Sequence, residues 1–218
     1  SCRMAAEMQR SLQDKATVLV FSWPSNGLPS DYVRDQADIE WSVPVLADLM
    51  ARLGDRVGET HVNVVAHSLG SRGVIFALQR LALERVERPA IGHLVLLAPD
   101  FDSQTFIELQ PGLATLTGGM TLYASDNAAP LKVSRQLSGY PRLGETGPHL
   151  DSLTGVEIID LSYIAMRSPS GHLYHLYHND VVNDLKQILN EGKPAAQRLN
   201  LRQTGKNYWQ LEPTTINR

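Results

Sequence analysis

Cysteine is almost absent from this 218-residue chain: Cys2 stands alone, so no internal disulfide framework can hold the fold together. No apolar run approaches the ~20 residues needed to cross a bilayer, and no secretory signal is visible in the first residues. An excess of one charge is lacking too. Lys and Arg number 20 against 23 Asp and Glu, a net charge of −3, and no basic stripe is interleaved with aromatics. That pattern speaks against a nucleic-acid partner. There is no internal repeat and no low-complexity stretch. The compartment stays open between cytoplasm and periplasm, because periplasmic proteins can also do without disulfides. What is present is an ordinary globular composition, 43% hydrophobic and 20% charged, long enough for one sizeable domain.

Short apolar runs alternate with longer amphipathic ones. Val18–Phe21 reads as a buried strand, followed by the turn-rich loop Ser22-Trp23-Pro24-Ser25-Asn26-Gly27. Residues 30–53 read as helix, kinked or divided at Pro44. Further strands are expected at 61–65, 93–98, 121–124 and 156–161, with helices at about 70–84 and 181–189, the last capped by Asn179 or Asp180. Strands apolar on both faces and separated by helices imply a mostly parallel sheet covered on both sides. The α/β core is expected to span 1–192, and 193–218, with five basic residues and one acidic, to form an irregular solvated tail.

The most informative five residues are Ala66-His67-Ser68-Leu69-Gly70. A β-branched run precedes them, and Val74, Ala77, Leu78 and Leu81 follow at helical spacing. A serine between small residues at a strand-to-helix turn is a nucleophile elbow, tight enough that large side chains two positions either side would collide. Here alanine takes the place of the first glycine.

A serine hydroxyl needs a base to accept its proton, and the base needs a carboxylate to orient it. The chain offers these in the order serine, acid, histidine. His172, in Ser170-Gly171-His172-Leu173-Tyr174, follows the last predicted strand, with His175 and His178 as rivals and His93 and His149 as structural histidines. For the acid, Asp126 sits just past the strand ending at Ala124, while Asp102 and Asp100 sit past the preceding one. Any of the three could instead cap a helix or turn. The N–H of Leu69 is the expected oxyanion donor, with a second donor from a loop after an earlier strand that is not in this chain. Trp23, His67 and Tyr174 are the candidates for substrate contact. The spacing His172-x-x-His175-x-x-His178 could be read as a metal site, but Pro169 and Gly171 break the helix it would need. Neither a metal nor an organic cofactor is expected.

The chain resembles a bacterial family of α/β hydrolases of unknown function, related to esterases and lipases. The resemblance rests on Phe21-Ser22-Trp23-Pro24-Ser25, Tyr32, Asp35, the Ala66–Gly70 elbow, Ala98-Pro99-Asp100, and Gly171-His172-x-Tyr174. It implies the α/β-hydrolase fold, Ser68 as nucleophile, His172 as base and a small-molecule ester as substrate. The chain departs from the family pattern after Asn127, where Ala128 stands in place of an aspartate. It also departs at the start. Family members carry a strand ending in a His-Gly-Tyr-Asn-like motif just before the helix that begins here near Arg3, and in the family's sheet that strand lies between 18–21 and 61–65. The resemblance therefore implies an upstream segment of the same precursor that supplies a central strand and the second oxyanion donor.

Overall fold

The computed structural model of the chain describes residues 2–13, 16–84, 90–164 and 178–214. Four parallel strands make its centre: β1 (Asn63–His67), β2 (Ile91–Leu97), β3 (Thr117–Ala124) and β4 (Glu157–Asp160). Each overlaps one of the short apolar runs in the sequence, with β3 starting four residues before the expected 121. The helices between and around them are α1 (Cys2–Ser11), α2 (Tyr32–Val57), α3 (Gly70–Leu83), α4 (Ser103–Ala114), α5 (Ala129–Ser138) and α6 (Asn179–Glu191).

Period-two alternation sorts the strand side chains between two layers. Ala66, Leu94, Leu96, Leu122 and Ile158 face α2, α3 and α4, packing against Met50, Leu78 and Phe106. Val95, Leu97, Tyr123 and Ile159 face the other way, against Leu131 of α5 and Val181, Leu185 and Ile188 of α6. The register sets His67 level with Leu97, Leu97 with Tyr123, and Ala124 with Asp160. The carboxyl ends of all four strands therefore open on one edge.

Four expectations fail. The run Val18–Phe21 is extended chain outside the sheet, with Leu19 62% exposed. A strand is held by ladder bonds to a neighbour, and among the described residues none lies beside it; β1 is the sheet's edge. The segment after Lys193 is not an irregular tail through its described residues. It adds β5 (Leu201–Gln203) and β6 (Tyr208–Leu211), giving the order β1-β2-β3-β4-β6-β5 with β6 parallel to β4 and antiparallel to β5. Its basic residues are partly structural, since Arg198 is buried. Pro44 does not divide α2, which runs unbroken for 26 residues. Ile39, Leu46 and Met50 bury one face of the helix on both sides of the proline, and that packing outweighs its missing N–H. At the start of α6 the cap is His178, whose ring accepts from the Asp180 N–H at 3.3 Å, rather than Asn179 or Asp180.

Candidate active site

β1 ends at His67, and the next residue, Ser68, has φ of 51°. A non-glycine residue in the left-handed region costs about 1–3 kcal/mol and persists only where the surroundings enforce it. Here they do. The Ser68 N–H donates to the Leu97 carbonyl at 3.0 Å, and the Ser68 carbonyl accepts from Ser71 N–H and Asp100 N–H, each at 3.1 Å. Leu69 already has helical angles and starts α3.

At Gly70 the described residues supply no crowding. A Cβ there would meet nothing within 4 Å, because among the described residues nothing packs against that side of the elbow. The crowding falls at Gly73 instead, where a Cβ would lie 2.6 Å from Ile39 Cδ1; the absent side chain lets α2 and α3 close together. Ala66 is buried beneath the turn.

The three candidate acids have different surroundings. Asp102 caps α4, its Oδ1 accepting from both the N–H and the hydroxyl of Thr105 at 2.7 Å. Asp100 is buried and fully engaged: Tyr32 hydroxyl donates to Oδ2 at 2.7 Å, Ser134 hydroxyl donates to Oδ1 at 2.6 Å, and Arg142 Nε lies 3.3 Å from Oδ1. Asp126 is exposed just past β3. Its N–H donates to Ser162 Oγ at 3.1 Å, and Asn127 donates to the Ser162 carbonyl at 2.8 Å. No described residue bonds the Asp126 carboxylate. Of the three, only this one is uncommitted.

Ser68, Asp100 and Asp126 thus sit at the carboxyl ends of adjacent strands β1, β2 and β3. A fourth group, Asp160, ends β4 on the same edge and accepts from Ser162 N–H at 2.8 Å. Sequence reasoning passed over it because it closes an apolar run and read as part of the strand. Ser134 and Arg142 were also missed; nothing local marks them, since they meet Asp100 from 34 and 42 residues away.

His172, Tyr174 and His175 lie outside the described residues. His67 is half-buried directly before the serine. Trp23 is half-buried in a loop whose backbone is gathered by one carboxylate. Asp35, itself buried, accepts from Asn26 N–H at 2.8 Å, Gly27 N–H at 3.0 Å and Ser25 hydroxyl at 2.8 Å. Burial pushes the Asp35 carboxyl up, but those three donors and Arg34 outweigh it and hold it below the usual carboxylate range.

His93 and His149 have structural partners. His149 Nε2 lies 3.2 Å from the Arg142 carbonyl. His93 Nε2 lies 2.9 Å from Thr121 Oγ, whose own proton goes to Glu157 at 3.0 Å. The threonine therefore accepts, and His93 carries its proton on Nε2.

A serine held in the left-handed region at a strand-to-helix turn, with a helix-starting N–H beside it, is the geometry of the nucleophile elbow. An uncharacterized protein of Nostoc sp. is 33% identical over 81 residues, 37% of this chain, and the chain spans about a fifth (21%) of that relative's length. No solved structure matches the chain. The family model for alpha/beta hydrolases of unknown function, DUF900, matches residues 1–191, and the chain belongs to that family.

Proposed function

We propose that the protein is a serine hydrolase that cleaves carboxylic esters, with Ser68 as nucleophile, His172 as general base and Asp126 as the orienting acid. The observation that carries this reading is the φ of 51° at Ser68, strain kept by a non-glycine residue at a strand-to-helix turn. In the forward half-reaction the Ser68 hydroxyl oxygen attacks the ester carbonyl and its proton passes to His172. The tetrahedral oxyanion is stabilised by the Leu69 N–H; such a donor is worth about 10²–10³ in rate. Collapse expels the alcohol, which takes the proton from His172, and leaves an acyl-enzyme. Water then attacks with His172 again as base, returning the carboxylic acid and free Ser68. Asp126 is preferred as the acid because Asp102 is spent on a helix cap and Asp100 on a buried cluster. Trp23, His67 and Tyr174 are the residues proposed to contact the substrate.

The open edge of β1 supports a second element of the proposal. An additional strand pairs there, supplied by an upstream segment of the same precursor, and carries the second oxyanion donor. It also gives Val18–Phe21 the neighbour it lacks, which accounts for exposed Leu19 and Val20 beside a sheet edge that bears the nucleophile. Amide hydrolysis or acyl transfer would use the same residues. A binding protein without turnover is the reading from another class, and labelling decides: a fluorophosphonate adduct on Ser68, lost in His172→Ala, is the enzyme's result, and no adduct on a folded complex containing that strand is the binding protein's.

A further inference from the structure

The chain that leaves β2 folds back over the nucleophile. Ala98, the first residue past β2 as Ser68 is the first past β1, has φ of 43°. It does so although it is not glycine and precedes a proline, two features that each disfavour that conformation. The reversal throws Pro99-Asp100 across the elbow, where the Asp100 N–H reaches the Ser68 carbonyl at 3.1 Å. With Ser68 N–H on the Leu97 carbonyl at 3.0 Å, the exit of β2 holds both main-chain ends of the serine.

What fixes Asp100 comes from three other parts of the fold. Tyr32 of α2, Ser134 of α5 and Arg142 of the loop after α5 converge on its carboxylate. The Tyr32 and Ser134 oxygens are 2.8 Å apart, and Gln36 donates to the Tyr32 oxygen at 3.0 Å. Burial, together with the Asp100 charge, holds the Tyr32 phenol above its ordinary value, so it remains a donor. The loop after α5 is itself pinned beneath the turn. Gly144 N–H donates to the Pro99 carbonyl at 2.9 Å, and a Cβ on Gly144 would come within 2.6 Å of the Ala98 carbonyl carbon. A buried polar cluster is a poor way to add stability and a good way to fix a geometry.

We propose that Tyr32, Ser134 and Arg142, acting through Asp100, are positioning residues that set the main chain of Ser68. The proposal rests on Ser68 being the nucleophile. Releasing Asp100 lets its N–H withdraw from the Ser68 carbonyl, so the serine turn drifts from its strained angle. Rate is lost while ground-state binding is kept, since small displacements of a reacting group cost up to about 10² in rate.

Tyr32→Phe and Ser134→Ala each delete one hydroxyl and leave the Asp100–Arg142 pair intact. Each is compared with wild type and with the surface variant Arg52→Gln in two measurements: kcat and KM for p-nitrophenyl acetate, and amide hydrogen exchange along the chain. The expected result is a kcat about tenfold lower with KM within about twofold. Exchange at the Ser68 and Asp100 amides should accelerate by a similar factor, with β3 amides unchanged. Unchanged exchange at those two amides overturns the proposal, and so does a uniform acceleration through the whole chain, which marks a merely structural role. If wild type neither hydrolyses the ester nor takes a fluorophosphonate, the hydrolase reading fails on its own, and the exchange data still decide whether the cluster holds Ser68.

Discussion

Arg198 and Asp184 form an ion pair entirely out of water: Nη1 lies 2.9 Å from Oδ2, and neither side chain is exposed. The same guanidinium reaches Glu157 at 2.8 Å, and Tyr123 donates its phenolic proton to Asp184 at 2.5 Å. Arg198 belongs to the segment beyond residue 191, where the family match ends, yet it is buried against α6 and the β3–β4 pair. Breaking a buried pair strands the remaining charge. Arg198→Met should therefore cost about 3–5 kcal/mol in urea unfolding, and the double variant Arg198→Met, Asp184→Leu should recover a large part of it.

Asp35 should show its work as a dependence on pH. Its folded-state carboxyl is held below the usual range, so the stability it contributes is present above the unfolded value near ~3.9 and lost as pH falls through the folded value. Asp35→Asn should lower stability at pH 7 by about 1.5–3 kcal/mol, the worth of hydrogen bonds to a charged group. The gap to wild type should close as pH drops below about 4. Thermal unfolding across that range is the check.

His93 has the opposite chemistry. Burial lowers its pKa against the raising influence of Glu157, so the neutral ring is the folded form. Stability should fall as pH drops from the ordinary histidine value near ~6.5 toward the depressed folded value. His93→Gln should flatten that slope, seen as a Tm difference between pH 5 and pH 8 that is smaller than in wild type.

Much of this architecture is legible in the sequence. The four central strands are short apolar runs closed by turn residues, and the elbow announces itself through Ala66–Gly70 and the helical spacing after it. Asp102 could be suspected as a cap because an aspartate just past a strand end commonly caps a helix or turn. Val18–Phe21 misled because an apolar run becomes a strand only beside a neighbour. The strands β5 and β6 were missed because three and four residues are too short to show an alternating pattern. Arg198 read as solvated charge, since nothing local foretells partners 14 and 41 residues away. The cluster around Asp100 was hidden for the same reason.

Two glycines separate backbone crowding from side-chain crowding. A Cβ on Gly144 would strike the Ala98–Pro99 backbone at 2.6–2.7 Å, which cannot yield, whereas one on Gly73 would meet the mobile tip of Ile39. Gly144→Ala should cost at least about 3 kcal/mol, the upper end for overpacking, and Gly73→Ala about 1–2 kcal/mol. Urea midpoints of the two variants measured side by side give the comparison.

The central claim is an activated serine at the end of β1. Its most direct test is intact mass of the native protein after treatment with a fluorophosphonate, with the modified peptide sequenced. The account predicts one adduct, on Ser68, and its suppression by at least about 10²-fold in His172→Ala, within the range of general-base contributions. An adduct on another residue, or none on a folded protein whose β1 edge is paired, would contradict it.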